Sequence, residues 1–376
     1  MRKTKILHCF SSVNRGGAET LVMNIFRAID RNKYEFHFLV HDQLYGDYYD
    51  EIIKLGGKVH MISGPNLSRL GHYKKNLRKL FVSEKFDVIH SHLQHFSGII
   101  LSEARRYNIP VRISHSHSIH DGYSDSAMRN IYRKIMQRKI LKNATHMLGC
   151  SYNACKALFG KTPDEDEKIM YFPNALDLEK FHQSHMKYEV KEALGLKPDS
   201  VVIGHVGRFS EQKNHKFLID IFHQYNKFNS NSILLLVGTG PLKSEIEKYV
   251  KEMQLNENVK FLGVRDDIPF ILQSFDVFVF PSLYEGLGNV LVEAQLSGVT
   301  CLASSMVPRE ADLGVGLFEQ LDLTDPGVWV KKIKHLIQHR NNDIDIDDIK
   351  IAARNKGYDI NVCVDNYEKL IKENVR

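Results

Sequence analysis

Val201-Val202-Ile203-Gly204-His205-Val206-Gly207-Arg208-Phe209-Ser210-Glu211-Gln212-Lys213-Asn214 reads as a short apolar strand, a loop carrying two cations, and the opening of a helix over 214–227. The apolar run is too short for a helix and is bounded by glycine, which suits a buried strand. The same grammar continues downstream. Strands over 232–238, 258–262, 277–280 and 299–303 alternate with helices over 242–253, 267–273 and 289–297. Upstream, strands over 4–10, 35–41, 58–62, 87–92 and 111–115 alternate with helices over 18–26, 47–55, 70–84 and 96–107. Helical connections of about a dozen residues between apolar strands predict mostly parallel sheets covered on both faces. Two such runs predict two Rossmann-type α/β units that meet near Pro173-Asn174-Ala175. The last thirty residues read as helices over 348–357 and 358–374, which either close the second unit or cross back to the first.

Length and composition agree. A chain of 376 residues, 43% hydrophobic and 26% charged, has the usage of an ordinary two-domain globular protein. That excludes a disordered polymer, a collagen-like repeat and a disulfide scaffold. The five cysteines (9, 150, 155, 301, 363) are scattered and form no zinc spacing, which points to a reducing, cytoplasmic compartment. The N-terminal Met1-Arg2-Lys3-Thr4-Lys5 lacks a signal peptide's apolar length, and no run approaches a membrane span.

Charge is uneven. Residues 1–180 hold 28 Lys+Arg against 18 Asp+Glu, a net of +10, whereas residues 181–376 hold 23 against 27, a net of −4. A basic half suggests an anionic surface or substrate. Two stretches concentrate it: Arg69 to Lys85, and Arg129 to Lys142, where Ile131, Ile135, Ile140 and Leu141 lie beside Arg133, Lys134, Arg138 and Lys139. Each suits an anionic bilayer or a solvated helix with one side on the core. No helix-turn-helix, RRM or zinc-finger pattern supports nucleic acid.

Ligands of open parallel sheets bind beyond the carboxyl ends of the strands, so chemistry is sought there. Asn14-Arg15-Gly16-Gly17-Ala18-Glu19 lies between a strand and a helix, either bringing N–H groups to a phosphate or making a structural turn. It is not a full GxGxxG and precedes no GK[ST]. Arg208 and Lys213 share one strand–helix loop, and a guanidinium fork with an ammonium matches a diphosphate. His205 and His215 beside them read as packing or helix-start residues. Pro281-Ser282-Leu283-Tyr284-Glu285-Gly286-Leu287-Gly288-Asn289-Val290 leads into a helix carrying Glu293. Its two carboxylates suit hydroxyls of a sugar and a ribose, although Glu293 alone also fits a helix-face salt bridge. Histidines 90, 92, 95, 115, 117 and 120 form the last group. His90 with His92, and His115 with His117, point the same way on their strand ends. A metal site is conceivable, but no Cys or clear carboxylate ligand accompanies them, and a lining of neutral polar groups is the preferred reading.

These pieces together resemble the nucleotide-sugar glycosyltransferases of the GT-B fold, family 4, and in particular bacterial capsular and exopolysaccharide members. The resemblance spans Gly16-Gly17-Ala18-Glu19, His90-Ser91-His92, His115-Ser116-His117, Pro173-Asn174-Ala175-Leu176-Asp177, Gly207-Arg208 with Lys213, Val237-Gly238-Thr239-Gly240-Pro241, Phe261-Leu262-Gly263 and Glu285 to Glu293. It implies an N-terminal acceptor domain (1–175), a C-terminal nucleotide-sugar domain (176–356), a final helix (357–376) crossing back, and a cleft between the domains. Arg208 and Lys213 are then expected on the diphosphate, Glu293 on the ribose, Glu285 on the donor sugar, and Gly263-Val264 at the base. Gly288, Asn289 and Val290 frame phosphate and sugar, Gly16 and Gly17 close the cleft, and His115, with His117 as the near alternative, faces the sugar.

The implied reaction is retaining transfer from a UDP-sugar to a glycan acceptor carried on a polyprenyl diphosphate, with peripheral attachment to the inner leaflet. Arg208 and Lys213 stabilise charge developing on the leaving diphosphate, and Glu285 orients rather than attacks. No Asp-x-Asp stands at a strand end near these residues, and Asp345-x-Asp347 is late and polar, so the resemblance implies metal independence and no cofactor. Asn289 departs from the Pro, Ile or Phe of many relatives, and either reads a sugar substituent or caps the helix. A non-hydrolysing UDP-sugar 2-epimerase and a non-catalytic nucleotide-sugar-binding subunit are the rival readings.

Overall fold

The computed structural model describes residues 2–42, 44–64, 69–181, 186–339 and 344–373. The chain divides into two compact units, Met1–Leu176 with Gly357–Arg376, and Asp177–Lys356.

The first unit is built on seven parallel strands: β1 (Thr4–Cys9), β2 (Tyr34–Val40), β3 (Lys58–Met61), β4 (Val88–Ser91), β5 (Val111–Ser116), β6 (His146–Gly149) and β7 (Ile169–Tyr171). Their order is β3-β2-β1-β4-β5-β6-β7. Helices α1 (Gly17–Ala28), α2 (Tyr49–Lys54), α3 (Leu70–Glu84), α4 (Ser97–Arg106), α5 (Ala127–Asn143) and α6 (Tyr152–Phe159) connect them. Both faces are covered, as near-continuous apolar strands require. Ile6 packs with Phe36, Phe38 and Ile113 on one face. Its neighbour Leu7 packs with Leu39, Ile89 and Met147 on the other.

The second unit repeats the plan with β8 (Val201–Val206), β9 (Ser232–Val237), β10 (Val259–Gly263), β11 (Val277–Phe280), β12 (Cys301–Ser304) and β13 (Phe318–Leu321). These parallel strands run in the order β10-β9-β8-β11-β12-β13. Its helices are α7 (Lys187–Ala193), α8 (His215–Phe228), α9 (Lys243–Glu252), α10 (Ile268–Leu272), α11 (Asn289–Leu296), α12 (Pro326–Gln338) and α13 (Ile346–Asn355). In each unit the strand order reverses beside a central strand, between β1 and β4 and between β8 and β11. Loops leaving such neighbours diverge to opposite faces and leave a crevice at the carboxyl ends.

The last helix, α14 (Ile360–Lys372), belongs to the first unit, which settles the choice the sequence left open. Leu176 N–H donates to the Tyr358 carbonyl at 2.8 Å, and Ile360 N–H to the Leu176 carbonyl at 2.9 Å. Ile360, Val364, Tyr367, Leu370 and Ile371 then enter the core beside Phe36 and Phe38. The helix reading ran to residue 374, which lies outside the described residues. The short strands β6, β7 and β13 are additions to the sequence reading.

The two basic helices differ. α3 buries Tyr73, Leu77 and Phe81, so it packs one side on the core. α5 buries Met136 and Ile140 but leaves Met128, Ile131 and Ile135 exposed, the first two at 79% and 60%. Asp345-x-Asp347 caps α13, the Asp345 carboxylate accepting from the Asp347 N–H at 3.0 Å.

Candidate functional site

In the second unit, β8 and β11 are hydrogen-bonded neighbours, so the loop after each opens beside the other. Leu283 N–H donates to the Gln212 carbonyl at 2.8 Å, and Gln212 Nε2 donates to the Tyr284 carbonyl at 2.9 Å. This lacing brings Lys213 Nζ to 2.6 Å from Glu285 Oε1, with side chains 14% and 7% exposed. The ammonium also stands 4.3 Å from the Phe280 ring centre. Glu285 is therefore an ion-pair partner of Lys213, a contact across 72 residues that the sequence reading did not contain.

Arg208 in the same loop is exposed, and its guanidinium has no hydrogen bond or ion pair among the described residues. Beneath it, His205 donates its Nδ1–H to the Val279 carbonyl at 2.9 Å and stacks on Phe280. His215 stacks on Phe209 at 4.2 Å between ring centres. Both histidines pack, as expected, and burial holds both below the usual imidazole range.

The loops after β8 and β9 touch backbone to backbone. Gly238 has φ +129°, and a Cβ there would sit 2.2 Å from the Gly207 carbonyl oxygen. Its N–H donates to the Gly263 carbonyl at 2.7 Å, next to Val264, which is 60% exposed. Gly288 caps α11 in the left-handed region with φ 89°, and Asn289 and Val290 form the first turn, partly exposed. Asn289 begins the helix; the capping position itself is Gly288. Glu293 lies on the same helix, and its carboxylate has no hydrogen bond or ion pair among the described residues, so no helix-face salt bridge forms. Burial raises it to about 7.

In the first unit, α1 begins at Gly17, and Gly16 is extended with φ −150°. A Cβ there would lie 2.4 Å from Glu19 Oε2, the end of a side chain that can turn aside. The Glu19 carboxylate thus folds back over the start of the helix, and burial raises it to about 7 against a lowering backbone hydrogen bond.

The histidine pairs lie as alternation required. Ring centres of His90 and His92 are 4.2 Å apart, and those of His115 and His117 are 3.9 Å apart. Pairing of β4 with β5 joins them: His90 Nε2 is 3.2 Å from His115 Nδ1, and His92 Nδ1 is 2.9 Å from His117 Nε2. Two members were not foreseen. His8 pairs with His90 in register and places Nδ1 3.2 Å from His92 Nε2; Tyr367 on α14 reaches His90 Nδ1 at 3.0 Å. His8 is visible in the sequence only once β1 is known to lie beside β4. Burial pushes all five imidazoles down, His8 and His117 to about 3, so the cluster is neutral at pH 7. His115 is fully enclosed by His90, His117 and Phe172, while His117 is half-buried. His95 stands apart, 3.7 Å from Asp121, and His120 is exposed.

Residues 186–319 match the family description "Glycosyl transferases group 1", and residues 15–180 match "Glycosyltransferase Family 4". EpsF of Bacillus subtilis, assigned by name to the glycosyltransferases, is 37% identical over 88% of this chain and 86% of its own. This chain is a family 4 glycosyltransferase.

A second relative of this glycosyltransferase is the Escherichia coli UDP-Gal:α-D-GlcNAc-diphosphoundecaprenol α-1,3-galactosyltransferase, 29% identical over 81% of this chain and 80% of the relative. Among solved structures, Anabaena HepE in complex with UDP and glucose superposes with a TM-score of 0.80 at 18% identity, covering 98% of this chain and 100% of HepE. That likeness establishes the GT-B fold. Among the described residues no helix is long and apolar enough to cross a membrane.

Proposed function

We propose that this glycosyltransferase is a retaining hexosyltransferase that moves a sugar from UDP to a glycan carried on a polyprenyl diphosphate, in capsular or extracellular polysaccharide synthesis. The observation that carries the reading is the pairing of Lys213 with Glu285 beside an exposed, unpartnered Arg208. A diphosphate leaving group needs positive charge that gains most as the glycosidic bond breaks. Arg208 supplies an uncommitted fork, and Lys213 is fixed in place by a carboxylate that itself suits a sugar hydroxyl. The glycine-lined tips of β9 and β10, with Val264, are assigned to the base, and the first turn of α11 to phosphate. Glu293, unpaired at the side of the same helix, is assigned to the ribose. No divalent ion is assigned to the transfer step.

In the first unit we assign the acceptor side to Gly16, Gly17 and the histidine cluster. His115 was the family's sugar-facing position; its enclosure makes the half-buried His117 the ring better able to meet a hydroxyl. The galactosyltransferase named above supports a lipid-diphosphate acceptor, and HepE, crystallised with UDP, supports a uridine carrier. The exposed Met128, Ile131 and Ile135, with Lys134, Arg138, Lys139 and Lys142 on the same helix, support contact with an anionic inner leaflet.

The test is incubation of the purified chain with a panel of UDP-hexoses and a polyprenyl-diphosphate-linked N-acetylhexosamine, with and without EDTA. Formation of one α-linked product, unaffected by EDTA, is expected from an α-linked donor. A β-linked product overturns retention, an EDTA-sensitive rate overturns metal-independent transfer, and epimerisation of the donor without acceptor overturns transfer itself.

A further inference from the structure

We propose that His37, His60 and Glu84, at the free edge of the first unit's sheet, form a Zn2+ site distinct from the transferase machinery. One ligand atom from each of the three lies within 4.8 Å of the other two. Two imidazoles and a carboxylate are a familiar zinc set, whose tetrahedral bonds of about 2.0–2.1 Å place neighbouring ligand atoms about 3.3 Å apart.

The hydrogen bonds fix which nitrogen is available. His37 Nε2 is 2.9 Å from Glu35 Oε1, and a carboxylate only accepts, so Nε2 carries the ring proton. His37 Nδ1 is therefore a lone pair that accepts from His60 Nε2–H at 2.8 Å, and an ion entering between them requires the His60 proton to move to its Nδ1 through solvent. A zinc-bound histidine ordinarily donates its other N–H to a carboxylate, and Glu35 is that carboxylate. Glu35 is held in turn by Lys58 Nζ at 2.8 Å, and Glu84 Oε2 by Lys5 Nζ at 3.2 Å. Each carboxylate keeps a second oxygen, so the outer partners need not leave when an ion enters.

Access and exclusivity favour this cluster over the five-histidine one. His60 and Glu84 are half-buried, and β3 is an edge strand, so His60 can move the half ångström that widening 2.8 Å to about 3.3 Å asks. In the other cluster the rings are hydrogen-bonded mostly to one another, and among the described residues no carboxylate joins them. An ion here joins β2, β3 and the end of α3, so binding stabilises the folded unit.

The experiment uses the full chain without a polyhistidine tag, stripped by EDTA and dialysed. Titration with Co2+, followed by visible absorption, is expected to show the bands of a four-coordinate ion at one equivalent, displaced by Zn2+. Zn2+ is also expected to raise the melting temperature of the wild type. His60→Ala and Glu84→Gln, checked for an unchanged circular dichroism spectrum in EDTA, are expected to lose the bands and the thermal shift. Glu35→Gln keeps the site but weakens it about 10–100-fold. Absence of Co2+ bands in the wild type overturns the proposal. So does a signal that survives His60→Ala and disappears in His117→Ala, which places the ion at the other cluster. No step uses a donor sugar, so the outcome is separate from that of the transfer assay.

Discussion

Arg208 and Lys213 lie in one loop, yet they meet different surroundings, and that difference is measurable. Arg208→Ala removes an exposed side chain with no partner among the described residues, so unfolding free energy should change by less than about 0.5 kcal/mol. Turnover should fall about 100-fold or more if the guanidinium meets the leaving diphosphate. Lys213→Ala leaves Glu285, 6% exposed, without its cation, and breaking such a pair costs about 3 kcal/mol. Urea unfolding beside steady-state kinetics separates them; an Arg208→Ala variant that loses stability but keeps turnover sinks the assignment. Glu293 carries a pH prediction. Its carboxyl rises from 4.5 to about 7, so its contribution to stability is complete below about pH 4.5 and is lost as pH rises through 7. Wild-type melting temperature should therefore fall more between pH 5 and pH 8 than that of Glu293→Gln. Equal slopes refute a raised carboxyl at this position. Glu19 has the same sign and remains in both proteins.

At the scale of elements, the second unit depends on loops packed too closely for side chains. Gly238→Ala forces a Cβ to 2.2 Å from the Gly207 carbonyl at a φ of +129°. A loss of about 2 kcal/mol or more, with weaker UDP binding by calorimetry, is expected. Helix α5 presents the other element-level test. Exposed Ile131 and Ile135 add nothing to the core, so replacing both with Asp should leave folding intact and reduce flotation with anionic vesicles. Undiminished flotation removes α5 from the membrane reading.

For the whole molecule, the return of the C-terminal helix makes the first unit discontinuous in sequence. Ile360, Cys363, Val364, Tyr367, Leu370 and Ile371 complete a core whose other members precede residue 177. Deleting residues 357–376 should therefore destabilise the first unit and leave the second near its original stability. Hydrogen exchange resolved by peptide checks this: faster exchange in β1 and β2 with unchanged protection in β8 and β9 is expected. Uniform loss in both sheets contradicts two separate cores.

The sequence by itself determined the repeating strand–helix grammar, because buried parallel strands must be short apolar runs and their crossovers must be helices. It also determined the residue types at strand ends, since Arg208, Lys213 and Glu285 stand in loops, and the paired histidines at the ends of strands, whose position follows from local pattern. Tertiary structure alone decided who meets whom. Lys213 reaches Glu285 because β8 lies beside β11. His8 joins His90 because β1 lies beside β4. Tyr367 joins them because α14 returns to the first sheet. Strand order is set by competition among whole faces for burial, a quantity no local run of residues carries.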